Sequence, residues 1–372
     1  MDRNHLSYIL EQYISRFDEL NDVNGNDEGY KWRAESRFKK YWNIDAPNFP
    51  EMFINSMQET SNLIDNATVQ PMGGIRLLLK QENEIEFVRQ CFRKLFCEDG
   101  GDIDTRQQRV DDFIETINAR IEQYVSGSWK YPQSRNSAIY YLNLWKPEEN
   151  YIFKSTEATA WANCIEYGDD FGSGKTFSLR KYYRMCDELL EAIRDNDELL
   201  KLHSQRMKQE AKGYDDKLHI LVYDIIYCAH AYDFYRNMVI SKTSTKERIE
   251  KAANRQKIAE LENTIMVAEE KIQQLNTEKI DLPNITGKQV CHKKFGVGSV
   301  LLCENGRIRV LFPVKEMTFQ YPQAFVNGFL TCGDIDETIY RKNGEIDKMI
   351  DFQQKVIKNA QIALERILNN KG

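Results

Sequence analysis

The chain has 372 residues, 41 % of them hydrophobic and 29 % charged. That composition excludes a largely disordered chain, and at about 150 residues per domain the length predicts two or three domains. Fifty-one Lys and Arg against 57 Asp and Glu give a net charge of −6, which excludes a surface basic all over but leaves room for one basic face.

The first segment, MDRNHLSYILEQYISRF, lacks the apolar stretch of an export signal and reads as an ordinary helix. No apolar run approaches the ~18 residues of a membrane span. From residue 1 to about 240 the periodicity is mostly helical, which predicts one large helical domain. Within it, Tyr30, Trp32 and Phe38 are interleaved with Lys31, Arg33, Arg37, Lys39 and Lys40. Aromatics among bases can stack on nucleobases. At helical spacing the favoured reading is a helix anchored to its core.

Residues 168–176, GDDFGSGKT, end like a phosphate loop. A Walker A loop would need its first glycine at position 169, which is Asp169, and Gly168 lies one residue too far. Asp169 and Asp170 would also repel a phosphate. A flexible loop leading into a helix over 177–194 is the expectation. The apolar segment 218–231, interrupted by Asp224 and His230, is expected to be a buried core helix.

Two heptad stretches follow, over 244–281 and 334–370. Ile258, Leu261, Ile265, Ala268, Ile272 and Leu275 step alternately by three and four, as an a/d seam does. Ile346, Met349, Gln353, Val356, Ala360, Ala363 and Ile367 repeat the pattern. Their equal lengths predict an antiparallel hairpin of two long helices. Pairing with a second copy of the chain is the alternative, so the protein is expected as a monomer or a coiled-coil homodimer.

Between them, 286–332 has strand character. Val297–Cys303 leads into Asn305-Gly306, a strong hairpin turn signal because both residues must take positive φ. Arg307 to Phe312 returns, with Ile308, Val310 and Phe312 inward and Arg307 and Arg309 outward. Met317, Phe319 and Tyr321 predict a further strand. Lys288, Lys293, Lys294, Arg307, Arg309 and Lys315 face only Glu304 and Glu316, so this module carries about four positive charges on an acidic chain.

Val290, His292, Lys293, Lys294, Phe295, Gly296, Gly298 and Val300, then Ile308, Val310, Phe312, Phe319 and Pro322, form a pattern of their own. It resembles the SH3/Tudor-like barrel at the C-terminus of UvrD-type helicases and the barrel of CarD-type transcription factors. The resemblance implies a barrel that binds nucleic acid or RNA polymerase and performs no chemistry. More diffusely, Tyr141-Leu142-Asn143, Trp145-Lys146-Pro147, Tyr151 to Lys154 and the helical segment 182–194 make residues 28–240 look like regions accompanying McrB-type restriction systems. In those systems such a region recognises DNA or a partner.

Catalytic and metal constellations are not apparent. The five histidines are dispersed; His219 and His230 lie eleven apart, not at the three or four a metal-binding helix needs. Asp111-Asp112, Asp169-Asp170 and Asp215-Asp216 read as solvated faces or helix starts. Glu269-Glu270-Lys271 falls in the first heptad stretch. None of the eight cysteines forms C-x-x-C, so free thiols in a reducing cytoplasm are expected. The fold expected is mainly α, with a helical domain over 1–240 and a helical hairpin carrying a small SH3-like barrel. The function expected is non-catalytic binding of nucleic acid, or of a nucleic-acid-processing protein, through His292, Lys293, Lys294, Arg307, Arg309 and Lys315, without cofactor or metal. Two rivals remain. One is a specificity subunit of a DNA-defence system with an aromatic cleft near Trp32, Trp42 or Trp145. The other is an enzyme whose carboxylates converge only in the fold.

Overall fold

The computed structural model describes residues 1–22, 25–97, 101–210, 215–238, 245–333 and 337–369. The chain divides into two compact units, Met1–Ala252 and Ala253–Gly372. The division falls inside the helix Thr245–Glu278, and the boundaries expected at 240, 244, 334 and 370 lie outside the described residues.

The N-terminal unit is helical. Several of its helices start where a short polar side chain satisfies the first free N–H groups. Asp2 accepts from the amides of Asn4 and His5 at 3.0 and 3.2 Å, and Ser178 caps Leu179–Arg194. That helix shows one apolar stripe, with Tyr182, Met185, Cys186, Leu189, Leu190 and Ile193 buried. The helix His219–Ala231 is buried on nearly every side from Ile220 to Ile226, as its sequence predicts. The helix Tyr30–Tyr41 is anchored by Trp32 and Phe38, so its aromatics serve the core. No helix among the described residues is long and apolar enough to cross a membrane.

The C-terminal unit holds five short strands: β1 (Gln289–His292), β2 (Gly296–Glu304), β3 (Arg307–Leu311), β4 (Glu316–Gln320) and β5 (Leu330–Thr331). They form one curled antiparallel sheet in the order β4-β3-β2-β1-β5. Asn305 and Gly306 take φ of 50° and 69°, so the β2–β3 hairpin closes as its Asn-Gly pair predicts. Glu304 therefore pairs with Arg307, and the register shifts between Val300 and Leu302. Val290, Val300, Ile308, Val310, Phe312 and Leu330 fill the concave side. The strand expected through Tyr321 ends at Gln320; Tyr321 instead donates its hydroxyl to the Pro283 carbonyl at 2.7 Å.

Two long helices, Thr245–Glu278 and Glu337–Asn369, occupy the heptad stretches. Ile272 and Leu275 of the first pack against Ile346 and Ile350 of the second. Lys279 pairs with Asp347 at 2.5 Å, and the Asn343 side chain bonds both backbone groups of Ile280. Every expected seam position of the first helix, Ile258 through Leu275, is buried or half-buried; on the second, Met349 is exposed.

Gly298 sits where the sheet is tightest. A Cβ there would lie 2.7 Å from the Phe312 ring and 2.8 Å from the Leu311 carbonyl. Gly298→Ala is expected to destabilise the C-terminal unit by about 1–3 kcal/mol through overpacking. Hydrogen exchange should speed up at β2 and β3 amides while the His219–Ala231 helix stays protected; unchanged sheet protection would refute the packing assignment.

Candidate functional site

The tight connection from β1 to β2 places His292, Lys293, Lys294 and Phe295 at one end of the curled sheet. His292 pairs with Gly296, whose φ of 74° makes the turn possible. The Lys294 amide donates to His292 Nδ1 at 3.0 Å, which fixes the imidazole. The imidazole centroid lies 4.7 Å from that of Phe295 and 5.8 Å from that of Phe319. Phe312 closes the group at 5.7 Å from Phe295 and 6.1 Å from Phe319. Phe312 is buried, whereas His292, Phe295 and Phe319 are only half-buried. Aromatic surface therefore opens to solvent at this end.

Two ammonium groups flank the same ring. Lys315 Nζ is 5.1 Å and Lys294 Nζ 5.9 Å from the Phe295 centroid, within cation–π range. Lys315 reaches this place from the β3–β4 turn, which the Phe312 amide closes onto the Lys315 carbonyl at 3.1 Å. Lys293 is exposed in the β1–β2 connection.

The six residues singled out by sequence thus divide into two groups. His292, Lys294 and Lys315 surround Phe295. Arg307 and Arg309 alternate with buried Ile308 and Val310, so they project from the opposite, convex side. There Arg309 Nε is 3.2 Å from the Glu316 carboxylate, and Arg307 sits across from Gln320. The six do not form one patch.

The N-terminal unit contains a cluster that sequence reasoning missed. Asp224 is fully buried and takes a cation on each carboxylate oxygen. Lys31 Nζ lies 2.7 Å from Oδ1, and Arg206 Nη1 lies 3.1 Å from Oδ2. Tyr13 also donates to Oδ2, and Glu28 pairs with Lys31. The Arg206 guanidinium lies 3.8 Å from the Trp32 centroid and contacts His203 Nδ1 at 3.0 Å. Burial pushes the Asp224 carboxyl up, but Lys31 and Arg206 together hold it below its usual range. Glu28, Asp224 and Cys228 stand close enough to share a metal ion, and they include the convergent carboxylates that an enzymatic reading needs. The Lys31 ammonium already supplies the positive charge between the two carboxylates. Lys31, Trp32 and Asp224 had each drawn notice in the sequence, but not as one cluster, because Asp224 lies 193 residues from Lys31 and 211 from Tyr13.

Asp215 stands at a helix start, one of the two readings of the acidic pairs, but is buried and not on a solvated face: it accepts the Ile220 and Leu221 amides of the helix His219–Ala231 at 2.9 Å and the Trp32 indole N–H at 3.0 Å. Asp111 and Asp169 are also engaged rather than simply solvated, by Arg135 and Lys181 at 2.8 Å each. His219 and His230 do not converge: His219 stacks on Tyr151 with centroids 4.0 Å apart, whereas His230 is exposed. Trp32 is buried, and Trp42 and Trp145 are half-buried against the core, Trp42 among Phe38, Phe92 and Phe96 and Trp145 flat on Phe96. All eight cysteines are free thiols, and Cys291 alone is exposed.

No family model, curated protein or solved structure matches this chain. Its function is therefore argued from the residues themselves.

Burial raises the Asp215 carboxyl to about 7, and burial lowers His203 to about 3. His203 is thus neutral, and its 3.9 Å approach to Asp215 is not an ion pair. A carboxyl raised on folding stabilises fully below the unfolded value of about 4, and that contribution is lost as pH rises through 7. The stability of the native chain relative to Asp215→Asn should fall by on the order of 1 kcal/mol per pH unit between about 4 and 7. Urea unfolding of both proteins across that range checks this; a constant difference would show that Asp215 titrates normally.

Proposed function

We propose that this is a non-catalytic binding protein that engages single-stranded nucleic acid through the aromatic and basic end of its C-terminal sheet. In this reading the sheet is an SH3-like barrel, and the two long helices form an antiparallel hairpin that carries it. One observation carries the proposal: Lys294 and Lys315 flank one half-buried ring, Phe295. Single-strand binders combine these two elements, an aromatic face for a base and cations for the adjoining phosphates. His292 offers a second flat surface beside Phe295, and Lys293 adds charge at the rim.

The net charge of −6 does not oppose this, because screening confines attraction to about 8–10 Å at physiological salt. Binding of this kind tracks the backbone and tolerates any sequence. Arg307 and Arg309 are left outside the interface, since they project from the other side of the sheet.

Fluorescence anisotropy with a labelled 20-nucleotide single strand over a salt series tests the reading. The native chain should lose affinity linearly in log salt. Lys294→Ala with Lys315→Ala should weaken binding and lower that slope by about 1.4, at roughly 0.7 per phosphate contact. Phe295→Ala should cost about 1–3 kcal/mol, or roughly five- to 150-fold, with the slope unchanged. Arg307→Ala with Arg309→Ala should do little. Absence of retention at low salt, or loss through the arginine pair alone, would overturn the proposal.

A further inference from the structure

The C-terminal sheet has two edges and treats them differently. The β5 edge is only two residues long, Leu330–Thr331. Very short edge strands are one way in which proteins keep a sheet from recruiting another strand. The β4 edge, Glu316–Gln320, has an ordinary strand length and none of the other protective devices. It pairs with β3 over all five residues without a register shift, so no bulge bends it away. It contains no Pro and no Lys, and its single charge, Glu316, stands at one end.

Hydrogen-bond parity fixes which backbone groups this edge offers. Phe312 donates to the Lys315 carbonyl at 3.1 Å and Tyr321 to the Gly306 carbonyl at 2.8 Å. Between those two pairs the ladder alternates. Met317 and Phe319 therefore bond to β3, while Glu316, Thr318 and Gln320 turn their N–H and C=O groups outward. Among the described residues no backbone group pairs with this outward side. The Met317 and Phe319 side chains are half-buried on the concave face, and the other three are exposed.

The sequence of the edge selects its occupant. When β4 lies antiparallel to β4 of a second copy, with Thr318 opposite Thr318, every outward N–H meets a carbonyl across the twofold axis. Met317 then stands opposite Phe319 of the second copy and Glu316 opposite Gln320. Both half-buried apolar side chains gain cover, and no like charges face each other. This register uses the whole strand, whereas one centred on Glu316 would set two carboxylates face to face. Charge supports the same axis. Arg309 is paired with Glu316 at 3.2 Å, but Arg307 has no ion pair among the described residues. Arg307 lies across from Gln320, so two strand spacings, about 10 Å, separate its backbone from that of Glu316 of the second copy. Extended Arg and Glu side chains span that gap on the convex side. An unrelated peptide would gain the backbone bonds without matching Met317, Phe319 and Arg307 in one register.

We propose that β4 is a self-association edge through which two copies of this chain join their C-terminal sheets into one continuous sheet. The interface is isologous and closed, because both copies use the same edge and the β5 edge is too short to extend the sheet further. The proposal does not depend on nucleic-acid binding, and it differs from pairing through the long helices.

Sedimentation of the full chain from about 1 to 200 µM, with residue-level hydrogen exchange at both ends of that range, tests this. The expected result is a monomer–dimer equilibrium. The Glu316, Thr318 and Gln320 amides should exchange about tenfold more slowly at the high concentration, while Met317 and Phe319, already bonded to β3, change less. Thr318→Pro removes an outward N–H, which an edge strand tolerates, and Thr318→Lys sets two ammonium groups opposite each other. Each should raise the dissociation constant at least about tenfold and leave β2 and β3 protection unchanged. If the proline variant disturbs the sheet, the lysine variant decides alone. A chain that stays monomeric throughout, a dimer that the Thr318 variants leave intact, or open-ended assembly would overturn the proposal.

Discussion

Side chains alternate across a β-strand, and in the C-terminal sheet this period of two decides which charges can act together. On β3, Ile308 and Val310 go to the concave core, which forces Arg307 and Arg309 to the convex side. Lys294 and Lys315 escape that rule because they sit in turns. Turns can carry side chains around the end of a sheet, so both ammonium groups arrive at Phe295. A count of six basic residues over one module therefore overstates the local field. Three of the selected residues share the aromatic opening, Lys293 stands in the connection beside it, and two face away.

The N-terminal unit rests on a different constraint, the cost of an isolated buried charge. Asp224 is tolerated inside because each of its oxygens meets a cation and Tyr13 adds a hydrogen bond. The same arrangement brings together helices that are distant in sequence, since Tyr13, Lys31, Arg206 and Asp224 come from four of them. Removing one partner of such a cluster leaves a charge without compensation, typically at a cost of about 3–5 kcal/mol. Carboxylates and a thiol that could pass for a metal site are explained by this electrostatic closure, because Lys31 occupies the centre of negative charge.

Local features were legible in the sequence and distant ones were not. Asn305-Gly306 announced its hairpin because the two residues tolerate the backbone the turn demands. The heptads announced two long helices, and the buried segment 218–231 announced a central one. Asp215 was half legible: its place at a helix start was one of the two readings of an acidic pair, whereas its burial with the Trp32 indole, 183 residues away, required the fold. The misplaced glycine argued against a phosphate loop, but only the fold shows the segment closing as a single 3-10 turn, Gly174–Thr176, onto which Arg135 donates. The aromatic opening was half legible: Phe295 and Phe319 stood in the barrel pattern, while their meeting with His292 required the sheet to curl.

The proposed interface is the central claim, and ultraviolet crosslinking tests it most directly. The full chain would be irradiated with an oligothymidine strand, digested, and its crosslinked peptides located by mass spectrometry. The account predicts crosslinks concentrated at His292, Phe295 and the adjoining lysines. Crosslinks confined to the convex strand residues Arg307 and Arg309, or none within the C-terminal sheet, would contradict it.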